Sequence, residues 1–291
     1  MKKSRNIALM IICIIIPVLI LSSCLNTKYK TVIVVDKLTG EGDSFNRQAV
    51  DGINLAKDSF NISSEIKEAN SDEDFSTILD DLKDNTNLVI GIGYKPEDSI
   101  IAAAQKHTNV EFITVDCVYN GELENVTGIS YKVQESSFLV GYIAGMTTET
   151  NKVGFIGGVE NETIIPFEYG YRAGVQYAAS QLNKTITVEA VYIDSFIDSD
   201  LAKEKAMEFY SKDFDIIFQA TGSAGVGVID AATASGKYVI GVDEDQSFLA
   251  PENVLTSALK DVKSTVYDIT ENYSEGRKYC EKTKCFGLYE G

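Results

Sequence analysis

Residues 31–50 read TVIVVDKLTGEGDSFNRQAV, and the fold class can be predicted from this stretch. Its first part, TVIVVD, is an apolar run rich in β-branched residues, which predicts a buried strand. After a polar loop that contains glycine, Ala49, Ile53 and Ala56 recur at helical spacing within SFNRQAVDGINLAKDSF. A buried strand that leads directly into an amphipathic helix is typical of a parallel sheet covered by helices.

The alternation of strand and helix continues as far as residue 130. Further strands are predicted at ISSEIKEA, NLVIGIG, VEFITVDCV and NVTGISYK, and further helices at DEDFSTILDDLKDN and PEDSIIAAAQKH. Pro96 suits the start of the second of these helices, because proline is tolerated in the first turn. The stretch therefore predicts one complete α/β unit.

The same order then starts again. Helices are predicted at ESSFLVGYIAGMTTE, PFEYGYRAGVQYAASQLN, LAKEKAMEFYSKD and GSAGVGVIDAATASG, and strands at KVGFIGGV, TVEAVYID, FDIIFQAT, KYVIGVDED and LTSALK. The last predicted helix, DVKSTVYDITENYSEGRK, has no partner sheet nearby, so we expect it to return to the first unit. This predicts one lobe from residues 31–130 plus 259–291 and a second from residues 131–258. The chain is expected to cross between them near Ser130 and near Ala258, and a third crossing is left open.

The first 24 residues have the layout of a secretory signal. A basic start precedes an apolar run, residues 7–21, which is shorter than the ~20 residues of a typical membrane-spanning helix. The ending LSSC resembles the bacterial lipoprotein cleavage box, whose cysteine becomes lipid-modified. We therefore expect residues 1–23 to be a leader, Cys24 to carry lipid and residues 24–30 to be a tether outside the cytoplasmic membrane; a plain membrane anchor is the alternative.

The composition argues against several classes of function. The formal net charge of −17 excludes a broad basic face for nucleic acid or anionic lipid. The single histidine, His107, leaves no residue set for Ser-His-Asp or Cys-His catalysis or for a His-based zinc site. Neither a GxxxxGK[ST] loop nor a GxGxxG motif is present. The sequence predicts no enzyme, no cofactor and no metal.

The cysteines leave one question open. Cys117 lies in a predicted strand and is expected to be a small core residue. Cys280 and Cys285 are close enough in sequence to pair outside the cell. Because helix geometry could also hold the two side chains apart, both the disulfide and the two free thiols remain possible.

Aromatic and acidic residues follow the predicted strands. In parallel α/β sheets ligands bind beyond the carboxyl ends of the strands. The residues found there are Asp36, Tyr94, Asp116, Phe196, Thr221, Gly222 and Asp243. Phe45, at the start of the first helix, is therefore predicted to stack on one face of a flat ligand, with Phe196 on the other face. Phe167 and Phe218 are alternatives to Phe196 as the second stacking ring, and Phe45 could instead be an apolar residue that packs at the start of the helix, a hydrophobic staple.

Several motifs in order resemble the basic membrane protein family of lipoproteins, which includes purine nucleoside receptors of bacterial ABC transporters. They cover the chain after residue 30 and read SFN, GIGYKPEDSI, FITVDCV, ESSFLVGYIAGM, YGYRAGV, TGSAGVGVIDAA, GKYVIGVDEDQ and LTSALKDV. The resemblance implies a type I periplasmic-binding-protein fold, with two doubly wound parallel-sheet lobes joined by hinge strands. It also implies a lipoprotein on the extracytoplasmic face of the cell membrane that hands nucleosides to a permease; we expect a monomer.

By the same resemblance, seven residues would contact the ligand: Phe45, Asn46, Asp116, Phe196, Gly222, Asp243 and Lys260. The two phenylalanines would sandwich the base, and Asn46 and Asp116 would hydrogen-bond its edge. Asp243 would accept the ribose hydroxyls, while Lys260 and the backbone at Gly222 would complete the sugar site.

Each assignment has a structural alternative. Asp116 and Asp243 could be helix caps or turn formers, and Lys260 could only pair with a nearby acid. Asp36 and Asp43 are interpreted as loop or capping residues as readily as ligand contacts. A membrane-anchored sensor or adhesin with the same fold is the alternative function, and a nucleoside hydrolase is a more distant one.

The sequence departs from the family pattern at two places. Family members continue a few tens of residues past CFGLYEG, so we expect the last strands and helix of the first lobe to be missing here. Gly42 and Asp43 stand where the family has DD or ND before SFN. The second departure bears on how the base is recognised.

Overall fold

The computed structural model of this protein describes residues 28–40 and 43–289, and the structural statements that follow concern these residues. The predicted leader and lipid-carrying Cys24 lie outside the described residues. No helix within the described ranges has the length and apolar character needed to cross a membrane.

The first α/β unit contains five strands and three helices. The strands are β1 (Tyr29–Asp36), β2 (Ile62–Ala69), β3 (Leu88–Ile92), β4 (Glu111–Val115) and β5 (Val126–Tyr131). The helices are α1 (Ser44–Ser59), α2 (Asp72–Asp80) and α3 (Glu97–Lys106). The hydrogen-bonded strands are all parallel, with β1 between β2 and β3.

The second unit repeats this order after a helix. It contains α4 (Val133–Thr147), β6 (Lys152–Gly157), α5 (Ile165–Leu182), β7 (Thr187–Tyr192), α6 (Ser199–Ser211), β8 (Ile216–Ala220), α7 (Gly225–Ser235), β9 (Tyr238–Asp243) and β10 (Val254–Leu259). A 3-10 turn, Gly222–Ala224, leads into α7. The strand order β10-β9-β8-β6-β7 is also fully parallel. The predicted pair of parallel α/β lobes is confirmed.

The chain returns to the first sheet after β10. Helix α8 (Val262–Ser274) packs on α1, and β11 (Thr283–Phe286) pairs in parallel with β5, giving the order β11-β5-β4-β3-β1-β2. No strand was predicted after α8, and this was wrong. The four residues TKCF carry no hydrophobic alternation, and β11 is held at the sheet edge by β5 and by hydrogen bonds between the Thr283 hydroxyl and the Tyr119 backbone.

Each sheet is covered by helices on both faces. In the first lobe, Ile33 and Val35 face α1 and α8, while Val32 and Val34 face the opposite layer. This division follows from the two-residue period of a strand. Side chains buried in this way each contribute roughly 1.5–3 kcal/mol by leaving water. The second lobe has the same arrangement, with separate clusters on its two faces.

Glycines bring α4 and α5 into close contact. A Cβ added at Gly141 would lie 2.2 Å from the Tyr171 carbonyl oxygen, and one at Gly174 would lie 2.0 Å from the Phe138 carbonyl oxygen. Only glycine allows backbones to approach so closely. The two helices are therefore in backbone contact at these glycines, and no large side chain separates them there.

The cysteine alternatives resolve in favour of free thiols. Cys280 is exposed, and neither it nor Cys285 forms a disulfide. Cys117 is buried, and its thiol donates to the Gly93 carbonyl oxygen at 3.4 Å. Burial raises the pKa of this thiol, with smaller contributions from nearby acids. Cys117 is a core residue, as the sequence predicted.

Candidate ligand-binding cleft

A cavity lies between the lobes at the carboxyl ends of the strands. It contains about 830 Å³ of space free of protein atoms, part of it open to solvent. The seven residues predicted to contact ligand all line this cavity: Phe45, Asn46, Asp116, Phe196, Gly222, Asp243 and Lys260.

Two aspartates lie at equivalent strand ends in the two lobes. Asp116 follows β4 and Asp243 ends β9, and both have a φ of 68°. This left-handed conformation is uncommon for residues other than glycine, and such strain is concentrated at functional sites. The backbone at these two turns points two carboxylates from opposite lobes into one cleft.

Lys260 lies between the two aspartates. Its Nζ is 2.9 Å from Asp116 Oδ2 and 3.4 Å from Asp243 Oδ1. The Lys260 and Asp243 side chains are each 6% exposed, and that of Asp116 is 11% exposed. One ammonium thus neutralises part of a buried pair of acids, which could not otherwise remain charged at low cost. The alternative that Lys260 pairs with a nearby acid is therefore found, within the cavity itself.

Aromatic rings surround the Lys260 ammonium. The Nζ atom lies 4.5 Å from the centroid of the Phe45 ring, 5.5 Å from that of Phe167 and 5.8 Å from that of Tyr131. Rings at these distances attract a cation through their π faces. This role of Tyr131 was not predicted from the sequence, and Phe167 was predicted only as a possible stacking ring for the ligand. Phe167 is 1% exposed and lies under the lysine.

The environment shifts the pKa of both Asp243 and Lys260. Burial raises the pKa of Asp243, and Lys260 and Ser44 oppose that shift only in part. For Lys260, burial favours loss of the proton, but Asp116 and Asp243 outweigh it and hold the pKa above its usual value. At neutral pH the lysine therefore remains an ammonium ion.

Asp243 retains unused capacity to accept hydrogen bonds. Its Oδ2 accepts from Ser44 Oγ at 3.4 Å. Its buried Oδ1 accepts no well-formed hydrogen bond from the described residues and lies 3.4 Å from Lys260 Nζ. An unsatisfied buried acceptor is costly, so this oxygen is suited to a donor supplied by a ligand.

Phe196 is positioned by glycines. A Cβ at Gly158 would lie 2.3 Å from the Phe196 ring, and one at Gly222, where φ is 59°, would lie 3.3 Å from Phe196 Cβ. Tyr94 from the first lobe faces the same ring, with centroids 6.5 Å apart and planes tilted by 58°. Phe218 is fully buried in the core and does not line the cavity, whereas Phe196 and Phe167 of the second lobe both do.

Two other acids that line the cavity are held by protein partners. Asp43 caps α1 by accepting from Asn46 N at 3.3 Å, and it also accepts from Asn46 Nδ2 at 3.1 Å. Asp36 pairs with Lys95 Nζ at 2.5 Å. The capping role foreseen for Asp43 is confirmed.

An ion pair joins the lobes beside the cavity. Arg47 on α1 contacts Glu244, which directly follows β9. Burial raises the pKa of Glu244, and Arg47 opposes this. Together with the Tyr94 and Phe196 rings, the pair links the two lobes across the cleft.

The part of the chain that the structure describes contains no group of three or more His, Cys, Asp or Glu side chains arranged to hold a metal ion. The polar groups that line the cleft are instead carboxylates, the ammonium groups of Lys37, Lys95 and Lys260, hydroxyl groups and the Asn46 amide. Such groups hold a small polar molecule through hydrogen bonds.

Comparisons with known proteins agree with this architecture. The family model described as ABC transporter substrate-binding protein PnrA-like (Bmp) matches residues 29–291. Basic membrane protein A of Borreliella afzelii is 39% identical over 268 residues, covering 90% of this chain and 81% of the relative. Basic membrane protein D of Borreliella burgdorferi strain JD1 is 37% identical over 268 residues, covering 90% and 77%.

Solved structures extend the comparison. An ABC transporter solute-binding protein from Aeropyrum pernix K1 is 25% identical, with a TM-score of 0.82 over 90% of this chain and 75% of that one. GanP, a glucose-galactose binding protein from Geobacillus stearothermophilus, shares the fold with a TM-score of 0.64 at 17% identity, covering 89% and 95%. These similarities confirm the type I periplasmic-binding-protein fold. With the family match over residues 29–291, they establish that this chain belongs to the Bmp family of PnrA-like ABC transporter substrate-binding proteins.

Proposed function

We propose that this substrate-binding protein captures a nucleoside, preferentially a purine nucleoside, between its lobes and delivers it to an ABC transporter permease. The observation that carries the proposal is the set of groups around one cavity. Phe45 and Phe196 come from opposite lobes, and Asp116, Lys260 and Asp243 line the same cavity. Aromatic faces beside buried hydrogen-bond acceptors match a flat base joined to a sugar.

The chemistry of these groups favours nucleosides over nucleotides. Stacking of a base on an aromatic side chain contributes roughly 1–3 kcal/mol and tolerates different bases. The carboxylates of Asp116 and Asp243 accept from ring N–H, amino or hydroxyl groups. They repel a phosphate, and Lys260 is already shared between them. Two further lysines, Lys37 and Lys95, line the cavity, and Lys95 is paired with Asp36. Beside Asp116 and Asp243 a neutral ligand is therefore favoured.

Delivery would depend on closure of the lobes. Arg47–Glu244 and Tyr94–Phe196 connect the lobes only when the cleft is narrow. Rotation about the segments that join β5 to α4 and β10 to α8 would make or break these contacts. The closed form, with water removed from the acids, would be the form that the permease recognises.

Calorimetric titration of the full chain in detergent tests the proposed ligand class. We expect adenosine, guanosine and inosine to bind in the submillimolar range or tighter, and AMP and ribose to give no heat. Phe45→Ala should weaken nucleoside binding by roughly 5- to 150-fold, because it removes one stacking face. Phe248→Ala is the matched control: Phe248 is exposed and lies outside the cavity.

Two results would count against this proposal. If the folded wild-type protein binds none of these nucleosides, nor uridine or cytidine, the site serves another ligand and the sensor or adhesin alternative becomes the better one. If AMP binds as well as adenosine, the two carboxylates do not select against phosphate.

We also propose that the protein is anchored by lipid on Cys24, at the extracytoplasmic face of the cell membrane. In cells fed labelled palmitate, the wild-type protein should take up label and sediment with membranes. Cys24→Ser should abolish the labelling, whereas Cys280→Ser, at an exposed thiol, should not. Labelling that persists in Cys24→Ser would rule out this anchor.

A further inference from the structure

The outer surface of the α4–α5 pair is apolar. Six side chains form what we call the α4–α5 face: Phe138, Leu139, Tyr142, Ile143, Met146 and Tyr177. Leu139 is 46% exposed, Met146 44% and Tyr177 50%. The Tyr177 ring lies 5.8 Å from both Phe138 and Tyr142, which makes the face continuous between the helices. None of the six carries a charge, although 24% of the chain is charged.

Helix α4 has the reverse of the usual amphipathic pattern. Surface helices normally bury their large apolar residues. In α4 the buried residues are mostly small: Val133, Ser137, Val140, Gly141, Ala144 and Gly145. The bulkier apolar residues, from Phe138 to Met146, lie on the outward side. This arrangement is expected when the outward side is itself covered by another surface.

The first lobe contains an internal control. Helix α1 follows β1 as α5 follows β6, and α8 follows β10 as α4 follows β5. The α1–α8 pair also meets at a glycine, because a Cβ at Gly52 would lie 2.4 Å from the Lys263 carbonyl oxygen. Its outward positions include one large apolar side chain, Leu55, which is 46% exposed, but the others are largely polar or charged, such as Asp51, Lys57, Lys263 and Asp268. The fold therefore does not require an apolar surface at this position.

We propose that the α4–α5 face is a homodimer interface at which two copies of this chain meet around a two-fold axis, in place of the monomer expected from the sequence. A second copy presents the same uncharged surface, so two chains of net charge −17 meet without opposing their acids. The interface lies on the second lobe, outside the ligand cavity, and it does not depend on the identity of the ligand.

The size and composition of the face fit such an interface. With side-chain areas of roughly 150–250 Å², its exposed fractions leave on the order of 400 Å² of apolar surface. This is about half of the ~800 Å² that each partner buries in a standard interface, and a polar rim supplies the remainder. Aromatic residues and methionine are also the types enriched at interface centres.

The surroundings of the face argue against a membrane as its partner. Helices that bind anionic lipid surround their apolar side with lysine and arginine. Here the charged residues that flank the two helices are mixed in sign: Lys132, Glu135 and Glu149 lie at the ends of α4, Glu168 on α5 is paired with Arg172, and Lys184 follows α5. The rim therefore lacks the basic border that anionic headgroups require.

Photo-crosslinking in intact cells identifies the partner directly. Tyr177→p-benzoylphenylalanine should give a covalent product of twice the chain mass. The same substitution at Tyr238, which is 44% exposed on the same lobe, should not. A product with lipid or with a different protein, or no product at position 177, would overturn the proposal.

A charge substitution tests the interface in the purified protein. Light scattering of the full chain in detergent, with the detergent mass subtracted, should give a dimer. Leu139→Glu should weaken the dimer about tenfold or more, since it buries an unpaired carboxylate. Met207→Glu, at a residue 42% exposed on α6, should leave the dimer intact. Unchanged melting temperatures would show that both variants fold, and a dimer that survives Leu139→Glu, or a monomeric wild type, would contradict the proposal.

Discussion

Replacing Lys260 with methionine is expected to lower the free energy of unfolding by about 3–5 kcal/mol at pH 7. The reason is that Asp116 and Asp243 remain buried after the ammonium that neutralises them is gone. Chemical denaturation gives the difference as a shift in midpoint with an unchanged slope. Lys263→Met on the exposed side of α8 should cost less than about 0.5 kcal/mol and is the matched control.

The loss of unfolding free energy in Lys260→Met should grow as the pH rises. Burial raises the pKa of Asp243, and loss of Lys260 removes the main opposing charge. The folded state of the variant then binds a proton that the unfolded state releases above a pH of about 4. Its stability is therefore greatest below that pH and is lost as the pH rises through the raised pKa.

Two outcomes would show that this account of the cluster is wrong. One is a deficit of the same size in Lys260→Met and Lys263→Met. The other is a deficit in Lys260→Met that stays constant between pH 4 and pH 7. A double variant, Lys260→Met with Asp243→Asn, should recover part of the lost stability, because it leaves only one buried carboxylate.

Asp243→Asn is expected to weaken nucleoside binding by roughly 100-fold or more. Hydrogen bonds to a charged partner are each worth about 1.5–3 kcal/mol, and this carboxylate would accept two ribose hydroxyls. Calorimetry on the full chain measures the change. Asp245→Asn is the control, since Asp245 is exposed and bonds to the Ser247 backbone.

A 2′-deoxynucleoside sharpens the test. The wild-type protein should bind it more weakly than the ribonucleoside, whereas Asp243→Asn should discriminate little between the two. Binding to the wild type should also weaken in acid, starting above the usual range for aspartate, because the pKa of Asp243 is raised. Equal discrimination by both proteins would place the sugar away from Asp243.

Much of the fold was predictable because its elements are local. The two-residue period of strands and the helical period of helices identify both α/β units. The rule that ligands bind beyond the carboxyl ends of strands predicts that Asp116 and Asp243 lie in one cleft. Phe45 was noticed because a bulky ring is unusual among polar capping residues. Strand β11 was missed because its pairing with β5 is a tertiary contact without a local pattern.

The features of the site that were not predicted depend on contacts between residues distant in sequence. The Lys260 Nζ atom lies 5.8 Å from the centroid of the Tyr131 ring because both residues lie where the chain passes between the lobes. No spacing in the sequence relates them. The α4–α5 contact did leave a signal, since GYIAG at residues 141–145 and GYRAG at residues 170–174 repeat a spacing of small residues that allows close helix packing.

The return of α8 to the first sheet constrains the order in which the protein can be completed. The second sheet and its helices come from one continuous stretch of chain, so they can assemble as soon as that stretch has emerged. The apolar side of α1, with Ala49, Ile53 and Ala56, has to wait for Val262 and Val266, which are made much later. During synthesis, the first lobe therefore exposes apolar surface for longer than the second. Chaperone binding and aggregation are expected mainly at this exposed surface.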